Sequence, residues 1–143
     1  KLLSEQGDSD YLDRFKTALM LNDWIEEQTE DWVLENYGMA PGLLRIKLDT
    51  ARWLSYSFSE LIPHIKTDKS VRKDIQKLEM RLKHGIKEEL LPLASIKGIG
   101  RVRARKLFGA GIKSKGGIRK APTKALEELV GKKTAEKVLK EIS

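Results

Sequence analysis

A short turn in which two glycines flank an isoleucine, Gly98-Ile99-Gly100, leads directly into a run of basic residues. Glycine accepts positive φ angles, so we expect both glycines to turn backbone N–H groups outward. The helix expected next would place its positively polarised N-terminus at the same point. Such a turn suits a nucleic-acid phosphate, bound without reading of the base. The candidate contact residues here are Lys97, Gly98, Ile99, Gly100, Arg101, Arg103, Arg105 and Lys106.

Charge is distributed unevenly along the 143 residues. No acidic residue occurs from position 90 to position 126, and residues 93–143 carry 14 Lys/Arg against 4 Asp/Glu, a net charge of +10. Residues 1–92 carry 14 Lys/Arg against 17 Asp/Glu, a net charge of −3. This asymmetry favours a near-neutral scaffold with a cationic end for a polyanion, the alternative being a solvated basic surface.

The basic part repeats itself with a shift of 31 residues. Each copy is expected to be helix, tight turn, helix, with a small alanine where two helices cross closely. The second copy has Leu129 where the first has Gly98, so its turn should bind phosphate less well. The pairing indicates a tandem helix-hairpin-helix unit. The matched positions are Ala94 and Ala125, Ile99 and Val130, Gly100 and Gly131, Ala104 and Ala135, Leu107 and Val138, and Phe108 and Leu139.

The elements that position this turn are helical, and we predict an all-α protein in two parts, residues 1–90 and 91–143. Asp23 with Glu26 has the spacing of a capping box, which predicts that a helix starts there. A long helix is expected from about 43 to 65. Its apolar stripe, predicted to face the core, is Leu44, Leu48, Ala51, Leu54, Phe58 and Leu61.

Several kinds of chemistry are missing from the sequence. There is no cysteine, no apolar stretch long enough to span a membrane, and no nucleotide-binding Gly-x4-Gly-Lys-Ser/Thr motif. The two histidines, His64 and His84, do not have metal-ligand spacing. We therefore expect no catalytic residue, metal or cofactor in this chain, which is not an enzyme by itself. Because it opens on Lys1, we expect it to be a piece of a longer protein.

Segments spread over nearly the whole chain resemble one family, the archaeal Hjm-type repair helicases. The first group resembles the ratchet domain of that family, and the second resembles its exit into a C-terminal helix-loop-helix domain. The first group is residues 12–19, Asp23-Trp24, Tyr37-Gly38, Pro41-Gly42 and Ala51-x-Trp53-Leu54; the second is residues 83–91 and 98–107.

The resemblance implies a superfamily-two, Ski-like, ATP-dependent DNA helicase that moves 3′ to 5′ on single strands at stalled replication forks. Its motor and winged-helix domains would precede Lys1, and ATP and magnesium would bind there. The implied partners are single-stranded and forked DNA and those domains of the same polypeptide. The implied setting is a monomer at the archaeal cytoplasmic nucleoid.

In this family a long helix presents an aromatic and an arginine to passing bases. By position the helix is 43–65 and the aromatic is Trp53; both Arg45 and Arg52 fit the arginine, and Tyr56 lies alongside. Trp53 also falls opposite the apolar stripe at 100° per residue. The alternative for Trp53 is a core residue. Two other functions stay open: a Sec63-like cassette that binds RNA or protein, and a standalone duplex-DNA binder.

Overall fold

The computed structural model describes residues 2–65 and 67–143, with side chains from Ser9 onward except that of Lys69. Within these ranges the regular structure is helical and contains no strand, so the all-α prediction is confirmed. The chain forms two compact units, residues 1–85 and 86–143. The two units meet between residues 85 and 86, five residues before the boundary predicted at 90/91. Ile86 and Leu90 accordingly belong to the core of the second unit.

Four α-helices and a short 3₁₀ helix build the first unit. They are α1 (Leu2–Ile25), α2 (Glu30–Tyr37), α3 (Pro41–Leu61), a 3₁₀ turn (Ile62–His64) and α4 (Lys69–His84). The α3 and α4 helices pack most extensively against each other.

Helix ends in this unit follow local capping chemistry. The Thr29 side chain accepts a hydrogen bond from the backbone N–H of Trp32 at 3.2 Å and starts α2, and Asp68 caps α4 in the same way. Gly38 and Gly85 end α2 and α4 with φ values of 58° and 62°, the left-handed conformation that glycine adopts most easily. Each of these ends is therefore determined by one capping side chain or by the φ angle of one glycine.

Asp23 does not start a helix, because α1 continues without a break from Leu2 to Ile25. The capping-box prediction was therefore wrong. The Asp23 carboxylate instead accepts a hydrogen bond from the Tyr37 hydroxyl at 2.5 Å. Burial, together with this hydrogen bond and the nearby negative charge, raises the pKa of Tyr37 to about 12. The carboxylate thus ties α1 to the end of α2.

The centre of the first unit is formed by Met20, Val33 and Leu44, one residue from each of the first three helices. Further along α3 the buried face is not the predicted apolar stripe. Leu54, Phe58 and Leu61 are more than half exposed, whereas Ser59 and then Ile62 are buried. The serine hydroxyl donates to the carbonyl oxygen of Tyr56 at 2.8 Å, so its polar atom is satisfied within α3.

The second unit packs five short helices around one core. The small residues Ala104 and Ala135 are fully or almost fully buried, as the predicted close helix crossings require. Helix α9 begins 31 positions after α6, so the predicted repeat is present. The elements are a 3₁₀ turn (Glu88–Leu90), α5 (Leu91–Ala94), α6 (Arg101–Gly109), α7 (Lys115–Lys120), α8 (Thr123–Val130) and α9 (Lys132–Ile142).

No helix in the described part of the chain is both long and apolar enough to cross a membrane. The same residues contain no cluster of three or more histidine or acidic side chains arranged to hold a metal ion.

Candidate nucleic-acid interface

The predicted phosphate turn lies between α5 and α6. Gly98 has a φ of 90°, which L residues with a Cβ adopt only with strain. The backbone N–H of Ile99 donates to the carbonyl oxygen of Ile96 at 3.0 Å, and the Ile99 side chain is buried. Ile99 therefore anchors the turn in the core, and neither its side chain nor its N–H group is directed to a ligand, contrary to the expectation for this residue.

Gly100 is the N-cap of α6 and has a φ of −88°, so the expectation of a positive φ at both glycines holds only at Gly98. An added Cβ at Gly100 would meet no atom within 4 Å. The fold of the unit thus does not require glycine at this position. Glycine is favoured over alanine at a helix N-cap, and it also permits close approach of an external group to the backbone.

The N-terminus of α6 is uncapped by any described side chain. Its first intrahelical bond, from the Ala104 N–H to the Gly100 carbonyl at 2.9 Å, leaves the N–H groups of Val102 and Arg103 in the first turn without helical partners. These groups, the helix dipole and the exposed Lys97 side chain form an anion-binding arrangement, whereas the exposed Lys106 lies in the last turn of α6. Neither lysine has an ion pair among the described residues.

The three arginines of this segment differ in their surroundings. Arg105 is paired with Glu89 at 2.7 Å and lies 5.4 Å from the centre of the Phe108 ring. The Arg103 guanidinium donates to two backbone carbonyl groups of its own unit. Arg101 is partly buried in the first turn of α6. Sequence spacing assigned all three the same role, and the structure separates them.

The second hairpin joins α8 and α9 through a single residue, Gly131, at φ 88°. Leu129, at the position that corresponds to Gly98, packs against the core. Lys132 and Lys133 are exposed in the first turn of α9. The two hairpins therefore share helix geometry, flanking charge and one positive-φ glycine, while the second glycine of the Gly-Ile-Gly turn is found only in the first one.

In the first unit, α3 places Trp53 and Tyr56 on the surface, with 65% and 59% of each residue exposed. Trp53 thus lies outside the core of this unit. The two aromatics line a shallow recess of about 260 Å³ together with Asp49, Arg52 and Glu79. Two carboxylates and one guanidinium give the recess no excess positive charge, which suits the flat face of a base better than a phosphate group.

The two candidate arginines of α3 have different environments. Arg52 is within 3.4 Å of Asp49 and 3.5 Å of Glu79, so carboxylates on α3 and α4 hold its guanidinium. Arg45 is exposed and has no hydrogen bond or ion pair among the described residues. It lines a separate recess of about 510 Å³ together with Lys83.

Two contacts of the hairpin region carried no recognisable sequence signal. The Glu141 carboxylate accepts a hydrogen bond from the Lys97 backbone N–H at 3.3 Å, and the methyl group of Thr134 lies 3.8 Å from the Cβ position of Gly98. Both residues belong to α9 and are distant in sequence from the first turn. No motif marks them, because only the packing of α9 brings them there.

A family model described as archaeal helicase, domain 4, matches residues 2–85, more than half of the chain. The chain belongs to the archaeal helicase domain 4 family. A second model, a SAM-like helix-hairpin-helix tandem, matches residues 90–143. From the sequence we inferred a resemblance to the C-terminal end of an archaeal repair helicase. These two matches and the relatives described next confirm that resemblance.

Three relatives are each named ATP-dependent DNA helicase Hel308. The one from Methanococcus vannielii is 45% identical over 138 residues, covering 93% of this chain and 18% of the relative. The one from Methanocaldococcus jannaschii is 44% identical, with 92% and 11% covered. The one from Pyrococcus horikoshii is 39% identical, with 98% and 20% covered. The chain spans a fifth or less of the length of these relatives.

Proposed function

We propose that this chain is the DNA-binding C-terminal region of an ATP-dependent DNA helicase. The observation that carries the proposal is the first hairpin: a helix N-terminus without a side-chain cap, whose N-cap glycine has open space around it and which the exposed Lys97 precedes. It would bind backbone phosphate groups without base specificity. The family match and the names of the relatives support this function.

The first unit would guide single-stranded DNA along α3. Trp53 and Tyr56 are exposed on one side of this helix, and an indole can stack on any of the four bases. Because Asp49 and Glu79 hold Arg52, Arg45 is the better candidate for the arginine that contacts the strand. A stacked base held by Trp53 would resist backward slipping between steps of the motor.

The rest of the helicase would lie in other parts of a longer polypeptide. ATP and magnesium would bind in its motor domains, since the present chain has no nucleotide-binding loop motif. Exposed apolar side chains on α1 and α3 support contact with further domains, because isolated soluble domains seldom leave so many uncovered. They are Tyr11, Leu12, Phe15, Leu19, Leu54, Phe58 and Leu61.

The hairpin is tested by Gly100→Ala, with Gly109→Ala as a matched control. Neither added methyl group meets an atom within 4 Å, and neither glycine has a positive φ. Both variants should therefore fold, Gly100→Ala with a modest loss of stability because alanine is a poorer N-cap residue than glycine. Gly100→Ala should weaken binding to a fluorescent single-stranded oligonucleotide roughly tenfold or more, the effect of losing one hydrogen bond to a charged group. Equal affinities of the two variants would refute the phosphate site.

The same titration separates the other candidate functions. Preference for duplex DNA over single strands would favour a standalone duplex binder, and preference for RNA, or absence of nucleic-acid binding at low salt, would favour a Sec63-like cassette. The resemblance found in the sequence extends the proposal to 3′–5′ movement at stalled forks. Unwinding of a model fork by the complete polypeptide, compared between 3′ and 5′ tails, tests that extension.

A further inference from the structure

Arg103 occupies an unusual position between the two hairpin turns. Its Nε donates to the carbonyl oxygen of Val130 at 3.1 Å, and its Nη1 donates to the carbonyl oxygen of Gly98 at 3.3 Å. Gly98 is the positive-φ residue of the first turn. Val130 is the last residue of α8, immediately before the Gly131 turn. One guanidinium thus bonds to the backbone of both turns.

An arginine is suited to this role for a geometric reason. The planar guanidinium directs several N–H donors outward in fixed directions, so two carbonyl groups that it binds are held in a fixed relation. One of these carbonyls belongs to the end of α8, where helix geometry leaves the oxygen without an intrahelical partner. A lysine ammonium also has several donors, but they rotate about a flexible chain and would not hold two carbonyl groups in a fixed relation.

Other contacts bring the first turn against the second hairpin. The Cβ position of Gly98 is 3.8 Å from the methyl group of Thr134, and the Lys97 N–H donates to Glu141. Both partners lie on α9, the helix that follows the second turn. Arg103 on α6 adds its two hydrogen bonds to these contacts. The relative position of the two turns is therefore determined by the contacts with α9 together with the guanidinium.

We propose that Arg103 is a positioning residue, which braces the first hairpin turn against the second so that its backbone N–H groups face the phosphate in a fixed geometry. This inference rests on the proposed function and refines it. Arg103 was grouped with the phosphate-neutralising arginines on sequence alone, and the brace assigns it a different task. Its contribution to DNA binding is geometric, whereas that of Lys97 is the charge itself.

The two roles differ in how binding responds to salt and to charge-preserving substitution. The slope of log K against log salt concentration is negative. When a phosphate-binding cation is replaced by a neutral residue, this slope becomes less steep by about 0.7 for single-stranded DNA, and when an arginine that binds phosphate is replaced by lysine, most of the binding is kept. If Arg103 acts as a brace, its replacement by lysine keeps the positive charge but loses the two directed hydrogen bonds of the guanidinium. Arg103→Lys and Arg103→Met should then weaken binding to a similar extent, about tenfold, with the slope unchanged.

The experiment compares these variants of the 143-residue chain with Lys97→Met, using fluorescence anisotropy of a single-stranded oligonucleotide at several salt concentrations. Lys97→Met should make the slope less steep, which shows that the assay detects a lost phosphate contact. Amide hydrogen exchange at Ile99 and Gly131, whose N–H groups donate to the carbonyl oxygens of Ile96 and Glu127, should be faster in Arg103→Lys than in the wild type. If Arg103→Met fails to fold by circular dichroism, Arg103→Lys carries the comparison.

The brace is refuted if Arg103→Lys keeps affinity within about twofold while Arg103→Met makes the slope less steep, or if neither variant alters affinity. A wild-type chain that does not bind DNA would count against the proposed function instead. In that case the exchange rates still decide the brace: unchanged protection of the Ile99 and Gly131 amides in Arg103→Lys would overturn it, and lost protection would support it.

Discussion

Replacing Trp53 with alanine separates a base-stacking residue from a structural one. Trp53 is 65% exposed, so about one third of a residue surface of roughly 250 Å² is covered, or roughly 90 Å². At about 25 cal/mol per Å² this area is worth at most ~2 kcal/mol. Alanine keeps part of the contact, so we expect a loss of about 1 kcal/mol and a melting temperature lowered by ~3–4 °C in a chain of 143 residues.

The effect on binding should be larger than this effect on stability. A base stacked on an aromatic side chain is worth roughly 1–3 kcal/mol, which corresponds to about a 5- to 150-fold loss of affinity for single-stranded DNA. The loss should be similar for different base sequences, because every base has a stacking face. Trp53 carries no charge, and the carboxylates of Asp49 and Glu79 lie beside it. We therefore expect the salt dependence of binding to stay unchanged in Trp53→Ala.

Two other tryptophans serve as controls. Trp24 is partly buried, and its indole N–H donates to the carbonyl oxygen of Leu82 at 2.8 Å, so Trp24→Ala should cost ~3–5 kcal/mol of stability. Trp32 is 39% exposed and lies on α2, outside the proposed interface, so Trp32→Ala should leave DNA affinity unchanged. Thermal melting and fluorescence anisotropy are measured on all three variants. A stability loss for Trp53→Ala as large as for Trp24→Ala, or unchanged affinity, would refute the stacking role.

Three further predictions follow from the described contacts. Gly85→Ala should destabilise the chain by clearly more than Gly38→Ala in chemical unfolding: both glycines have a positive φ, but only at Gly85 would a Cβ lie 2.7 Å from an indole carbon. Equal losses would show that this contact relaxes without cost. Burial, assisted by nearby positive charges, lowers the pKa of His84 below 6.5, so the unfolded chain binds more protons between the two pKa values. Stability should therefore be lost as pH falls through 6.5, and His84→Gln should remove this part of the melting-temperature profile; identical profiles would contradict it. Replacing Lys97 and Lys106 with methionine should make the salt slope of single-strand binding less steep by about 0.7 per lost phosphate contact, and an effect confined to one base sequence would mean base readout.

Much of the backbone could be predicted from the sequence, because the signals are local. Helix ends at Gly38 and Gly85 depend on the φ angle of a single residue, and α4 starts at an aspartate that bonds to a neighbouring N–H. The 31-residue repeat and the glycine turn before α6 are likewise visible along the chain. Local conformational preference suffices for such features.

Tertiary packing decided which side chains are available to a ligand. The predicted stripe on α3 fails from Leu54 onward, where the small Ser59 is buried instead. Helix α3 packs mainly against α4, and periodicity does not specify a partner helix. In the sequence, Arg103 cannot be distinguished from the other cations of its basic helix. Only the folded structure brings the carbonyl group of Val130, 27 residues away at the end of α8, within reach of its guanidinium. A hydrogen bond depends on positions in space, and residues distant in sequence acquire those positions only when the core has formed.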